Sequence, residues 1–311
     1  MLKQVMEIHD LLDSSFANGE RVLSFLQSRG LKSDGCSWKH IQGEKGTTDF
    51  VRILIPGAKG KTLGGTALTL GLIGRLGGIG ARPERIGLVS DADGAVTVLS
   101  VALKLLDMQQ HGDFLPGDVI VTTHIAPFAP TQPHEPVPFM GSPVNMSVMN
   151  QHEVEESMDA ILSVDTTKGN RILNHKGFAI TPTVKDGWIL RISEDLLSIV
   201  EWTTGEKPQV LAITMQDITP YGNDIYHVNS IMQPAIAAHA PLVGVAITTE
   251  TAVPGCATGA SHEVDIEKAA RFCLEVAKAY GSSHCSFYNE SEFEHLLQCY
   301  GSMEHLKKLS K

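Results

Sequence analysis

The stretch Arg85-Ile-Gly-Leu-Val-Ser-Asp91-Ala-Asp93-Gly94, followed by Ala95-Val-Thr-Val-Leu-Ser-Val-Ala-Leu-Lys-Leu-Leu-Asp-Met108 and then Gly117-Asp-Val-Ile-Val-Thr-Thr-His124, reads as strand, acidic turn, helix and strand. The apolar runs Arg85 to Val89 and Val119 to Thr123 have strand length, and Ala95 to Met108 has helix length. Upstream, Phe50 to Ile55 is a strand, Gly57 to Thr62 a glycine-rich turn and Leu63 to Leu76 a helix. This βαβαβ order predicts a mainly parallel sheet with helices on both faces and right-handed crossovers. Downstream the order resumes with a helix near Val144 to Met158, a strand at Ala160 to Val164, and a helix opened by Ser193 that runs to Trp202. A strand at Gln209 to Ile213, a helix near Ile225 to His239, a strand at Leu242 to Ile247 and a helix at Asp265 to Tyr280 complete it. The expected fold is an α/β three-layer αβα sandwich with a mixed, mostly parallel sheet.

A chain of 311 residues fits one principal domain, 1–311. Residues 1–30 read as two amphipathic helices laid on the sheet, 34–46 as a polar loop, and 282–311 as a C-terminal helical extension. Residues 124–143 hold six prolines, too many for a helix or a ladder, and form a loop over the expected site. Residues 166–190 are irregular, with a hairpin at Lys185-Asp-Gly187. The net charge of -10, without clustered Lys or Arg, argues against nucleic acid as a partner. No apolar run approaches the roughly 20 residues that span a bilayer, and the N-terminus is too charged for a signal peptide core, so no membrane partner and a cytoplasmic location are expected. Five cysteines without a C-x-x-C pair fit free thiols in a reducing compartment.

Acids and imidazoles recur where apolar runs end: Asp91 and Asp93, His124, Asp165 and His262. In open α/β sheets ligands bind beyond the carboxyl ends of the strands, so these residues form a candidate metal site. Helix capping is the competing role for the two aspartates of Asp91-Ala-Asp93. Thirteen histidines, several near the irregular loops, add to the case for a metal. Separately, Gly57-Ala-Lys-Gly-Lys-Thr62 after a strand has the context of a short phosphate-binding loop; a glycine turn with solvated lysines is the alternative.

The ordered series Asp91-x-x-Gly94, Gly117-Asp-Val-Ile120, Val164-Asp165-Thr-Thr167, Gly222-Asn-Asp224 and Ser261-His262-Glu-Val-Asp-Ile-Glu267 resembles the co-catalytic zinc aminopeptidase and deacylase superfamily. It is nearest to the glutamyl and deblocking aminopeptidases. The chain also resembles a bacterial and archaeal group known as domain of unknown function 1177. The superfamily resemblance implies a phosphorylase/hydrolase-like fold, with Asp91, Asp165 and His262 at metal-ligand positions. The sequence departs from that pattern in lacking a histidine after Ile55 and a Glu-Glu pair after Ile120, and only 35 residues lie between Ile55 and Asp91, too few for the family's inserted dimerisation domain. His124 and His134 are the candidates to repair the ligand set, Glu135 is the candidate general base, and Asp93 or Asp224 would orient a histidine ligand.

The expectation is a metal-dependent hydrolase of an amide bond in a short peptide or acylated amino acid. Its cofactor would be one or two divalent ions, zinc first, with manganese or cobalt as alternatives. The rival readings are a non-catalytic relative that binds a small amino-acid-like ligand, and a nucleotide-dependent enzyme built on Gly57 to Thr62. Self-association into a homo-oligomer is expected by analogy.

Overall fold

Leu70-Gly-Leu-Ile-Gly74, expected inside a helix, is the strand at the middle of the sheet. A continuous apolar run has no period that separates a buried strand from a buried helix. The glycines decide: a Cβ on Gly71 would lie 2.4 Å from Met158 Sδ, and one on Gly74 2.8 Å from the Gly94 carbonyl oxygen. Only bare extended main chain fits between the two layers. The strand expected at Arg85 to Val89 is absent; that segment is irregular, with Gly87 at φ 88° and the Leu88 N–H donating to Asp13.

The computed structural model describes residues 1–308 apart from 76, 254, 255 and 260. Its strands are β1 (Cys36–Gly43), β2 (Gly46–Ile55), β3 (Leu70–Gly74), β4 (Val119–Ile125), β5 (Thr131–Gln132), β6 (Phe139–Met140), β7 (Ala160–Thr166), β8 (Gly177–Ile180), β9 (Val184–Lys185), β10 (Trp188–Ile189) and β11 (Leu242–Thr248). Its helices are α1 (Leu2–Leu12), α2 (Gly19–Ser28), α3 (Asp93–Gln110), α4 (Met146–Glu153), α5 (Glu194–Thr204), α6 (Glu263–Gly281) and α7 (Glu290–Tyr300). The main sheet runs β1-β2-β4-β3-β7-β11-β9-β10, with β8 also on β11. Strands β4, β3, β7 and β11 are mutually parallel and form the centre, while the flanking strands pair antiparallel. The fold is α/β with a mixed sheet, as expected.

Three further segments differ from the sequence reading. The polar stretch 36–43 is the edge strand β1, joined to β2 by the two-residue turn Glu44-Lys45; most of its side chains face solvent, which hides any alternation. The 225–239 region forms a 3-10 segment, Ser230–Ile236, because Pro234 removes a helix donor. Gln209 to Ile213 contributes a single bridge, Val210 to Ile180.

Alternation along the central strands divides the core. Leu72, Val121, Leu162 and Val243 face the layer of α1, α3, α5 and α6. Ile73, Ile120, Ile161 and Leu242 face the 3-10 segments Met215–Ile218 and Ser230–Ile236, with α4 beside them over β2 and β4. The same parity sends Arg75, His124 and Asp165 to this second face, at the carboxyl ends of three adjacent parallel strands.

Candidate metal centre

The chain enters α3 through a 3-10 turn, Ser90–Ala92, and neither acid there caps the helix with its side chain. The N-terminus of α3 sits directly on the ends of β3 and β7. A Cβ on Gly94 would fall 2.5 Å from the Val164 carbonyl and 2.7 Å from that of Arg75, so glycine permits the approach. Asp91 and Asp93 are thereby carried to the parallel strand ends, where Asp165 closes β7. Asp165 accepts the Thr166 N–H at 2.7 Å and the Ser230 hydroxyl at 3.3 Å. Asp93 accepts Lys168 Nζ at 2.7 Å and the Ser261 hydroxyl. Asp91 Oδ2 lies against Gly78, where a Cβ would come within 2.4 Å of it, and the Asp91 N–H donates to the Cys256 carbonyl at 3.2 Å.

Beneath this group lies a second, fully buried arrangement. Glu153, at the end of α4, receives Arg75 on one oxygen and His124 Nδ1 at 2.6 Å on the other. The Gly77 N–H donates to His124 Nε2 at 3.1 Å. An accepting Nε2 puts the ring proton on Nδ1, facing Glu153. Both His124 nitrogens are therefore engaged, and this histidine supports the strand ends without offering a lone pair to a metal.

The charges do not balance. Four buried carboxylates, Asp91, Asp93, Glu153 and Asp165, share the region with two permanent cations, Arg75 and Lys168. Arg75 pairs with Glu153 and Lys168 with Asp93, so Asp91 and Asp165 are left without an ion pair among the described residues. Burial pushes the Asp91 carboxyl well above the ordinary carboxylate range, and the charge of Asp165 adds to it. Burial also pushes Asp165 up to about 7, with Arg75 pulling back. Burial raises Asp93 despite Lys168; at Glu153 burial opposes the charge, but Arg75 and His124 outweigh it and hold the carboxyl below its usual value. Asp91 Oδ1 is buried without a hydrogen-bond partner. Two adjacent acids and an orphaned oxygen suit a divalent cation, which would replace the missing positive charge.

The remaining sequence candidates lie elsewhere. His134 and Glu135 are exposed in the turn of the β5–β6 ribbon, where His134 Nδ1 donates to the Val137 carbonyl at 3.0 Å and the ring stacks on Phe139 at 3.8 Å. The structure does not bring them to the buried carboxylates, although the proline-rich loop does cover the centre through Met140, whose methyl lies beside Gly78. His262 is exposed at the N-cap of α6, close enough for its charge to favour ionised Asp93 and Asp265. Asp224 is exposed with φ 61°.

Arg75, Glu153 and Lys168 were not singled out from the sequence. Arg75 carried a signal, since a lone charge inside Leu70 to Ile79 demands a buried partner. A separate cluster, Asp186, His239 and Glu304, gathers three ligand atoms within 4.8 Å of one another at the surface. Lys185 and Lys307 stand 3.2 Å and 3.8 Å from Asp186 and offset its charge.

Gly57 to Thr62 does not present an open phosphate cradle. Asp118 fills it, accepting the Gly57 N–H at 2.8 Å and both the N–H and hydroxyl of Thr62 at 2.9 Å. Lys61 pairs with Asp159 at 2.7 Å, and a 3-10 turn followed by β3 replaces the expected helix.

A family model described as protein of unknown function (DUF1177) matches residues 39–310. The chain belongs to this family. No curated protein matches the DUF1177 chain. Among solved structures it is similar to a cytosol aminopeptidase from Coxiella burnetii, with 13% identity, 90% of this chain and 68% of that chain covered, and a TM-score of 0.49. No helix among the described residues is long and apolar enough to cross a membrane.

Proposed function

We propose that this DUF1177 protein is a metal-dependent hydrolase of an amide bond in a small substrate, a short peptide or an acylated amino acid. The observation that carries the metal is the Asp91–Asp165 pair: 3% and 2% exposed, mutually repelling, and without a cationic partner among the described residues. These two carboxylates would hold the ion, with zinc, manganese or cobalt as candidates. A divalent ion there lowers the pKa of a bound water and polarises a carbonyl. Lys168, held by Asp93, places a positive donor beside the pair, where a developing negative charge on the substrate needs stabilisation. Tyr221, pushed up to about 12 by burial and by Asp165, keeps its proton and serves as a second donor. The Glu153–Arg75–His124 arrangement holds the strand ends that carry these groups. The amide bond as target rests on the likeness of Asp91, Asp165 and His262 to zinc aminopeptidase ligand positions.

The test is metal content of the untagged protein, purified without chelators, beside Asp165→Asn. One or more equivalents of zinc, manganese or cobalt in the wild type, lost in the variant, together with metal-dependent cleavage of a peptide or acyl-amino acid, is the expected result. A protein that takes up none of these ions on incubation overturns the proposal.

A further inference from the structure

The turn Asp186-Gly187 joins β9 to β10 with both residues in the left-handed region, at φ 46° and 83°. A Cβ on Gly187 would fall 2.3 Å from the Met303 carbonyl oxygen, so the turn lies directly against the chain that leads into Glu304. Trp188 Nε1 donates to the Gly301 carbonyl at 3.1 Å and fixes the same approach. Two lysines tie in a third segment: Lys185 Nζ donates to the His239 carbonyl at 3.0 Å, and Lys307 Nζ to that of Ala238 at 2.7 Å. Three stretches far apart in sequence are thereby locked together, each contributing one ligand side chain: Asp186, His239 and Glu304.

The two carboxylates converge on a single atom. His239 Nδ1 stands 3.1 Å from Asp186 Oδ1 and 3.3 Å from Glu304 Oε1. A ring nitrogen carries at most one proton, and its hydrogen bond goes to Asp186, which leaves Glu304 Oε1 beside the ring without one to it. Donors held by one zinc ion at about 2.0–2.2 Å in a tetrahedral array lie about 3.3–3.5 Å apart. The spacing of the three atoms is therefore close to what such an ion needs, with little side-chain movement.

Charge alone draws no cation here. Lys185 Nζ is 3.2 Å from Asp186 Oδ2 and Lys307 Nζ is 3.8 Å from Asp186 Oδ1, so two ammonium groups balance two carboxylates. A hard ion such as magnesium or calcium, held by carboxylate charge, gains little from this arrangement. A transition ion gains the imidazole bond as well.

We infer that Asp186, His239 and Glu304 form a second divalent-ion site, selective for zinc over magnesium and calcium, which fastens residues 301–307 to the β9–β10 hairpin. It shares no residue with the buried centre and does not depend on the hydrolase reading. His239 is 78% exposed and the lysines oppose the ion, so this site is the weaker of the two and fills when zinc is added rather than surviving purification.

The experiment is a zinc titration of dialysed, full-length Asp165→Asn, read by calorimetry and by the thermal unfolding midpoint. One equivalent should bind and the midpoint should rise with zinc concentration. Adding His239→Ala or Glu304→Gln should weaken that binding about tenfold or more, at least the loss seen when outer-sphere partners of metal ligands are removed. His239→Ala keeps the main-chain carbonyl that Lys185 grips, so the three segments stay joined. Magnesium and calcium at the same concentration should neither bind nor shift the midpoint. The wild-type protein gives a reading without Asp165→Asn: its zinc capacity should fall by one equivalent with His239→Ala alone. No zinc uptake by Asp165→Asn, uptake unchanged by His239→Ala and Glu304→Gln, or equal uptake of magnesium overturns the inference and leaves the centre of Asp91 and Asp165 standing.

Discussion

Lys168 Nζ lies 2.7 Å from Asp93 Oδ2, with side chains 5% and 0% exposed, so one of the two buried cations of the centre is ion-paired with Asp93 and not with Asp91 or Asp165. Removing one partner of such a pair strands the other as an uncompensated buried charge. Lys168→Met should therefore cost about 3–5 kcal/mol in urea denaturation, and Lys168→Met combined with Asp93→Asn should recover most of it. A loss of about 1 kcal/mol or less, typical of exposed pairs, would count against this burial.

Stability of the chelator-treated protein should fall as the solution is made less acidic. Asp165 is raised by burial from 3.8 to about 7 in the folded state, so the folded protein holds that proton more tightly than the unfolded chain. Its contribution is complete below about pH 4 and is lost through about pH 7, at most about 4 kcal/mol in total. Glu153 acts in the opposite sense: with its folded value below 4.5, its contribution is present above that pH and is lost in more acidic solution. Denaturation profiles between pH 4 and 7 should slope downward for the wild type and less steeply in Asp165→Asn, where the raised Asp91 and Asp93 still contribute; equal slopes in both would contradict the assignment.

Gly78→Ala should empty the centre while sparing the fold. The added Cβ would meet Asp91 Oδ2 at 2.4 Å and Met140 Cε at 2.7 Å; the methionine can swing away, but the aspartate must move. A stability loss of about 1–3 kcal/mol with most of the metal gone is the expected outcome. Gly64→Ala is the control, since Gly64 has φ 79° and nothing within 4 Å, so only backbone strain of about 1–2 kcal/mol arises and metal content should not change.

Asp118→Ala should cost about 2–3 kcal/mol, because it strands the donors of Gly57 and Thr62 in a loop that folds around the carboxylate. Lys61→Ala should cost about 1 kcal/mol or less, since its pair with Asp159 is partly solvated. ATP should produce no thermal shift in the wild type; a shift abolished by Lys61→Ala would restore the nucleotide reading.

The elements that were legible in the sequence are those with a period or a cap. Asn18 and Ser193 accept from the first turns of α2 and α5, and β4, β7 and β11 are unbroken apolar runs of strand length. β3 is equally apolar, but two glycines and a following arginine left helix and strand indistinguishable until the packing partners Met158 and Gly94 were known. Asp91 and Asp165 stood out in the sequence as acids directly after apolar runs, and what the structure adds is that both are buried. The Arg75–Glu153 pair was not, since its members are 78 residues apart and a sequence shows no contact between them. Histidine enrichment pointed the wrong way at His124, whose nitrogens are committed to Glu153 and Gly77.

Between His124 and Asp91 the chain passes as Gly77-Gly78, where a Cβ would come within 1.6 Å of the His124 carbonyl and 2.4 Å of an Asp91 oxygen. The floor of the centre is therefore naked peptide, and amino-acid replacement cannot retune it without breaking it. Whatever variation the centre tolerates is left to the loop of Met140, whose methyl covers Gly78 and can be exchanged without touching that floor.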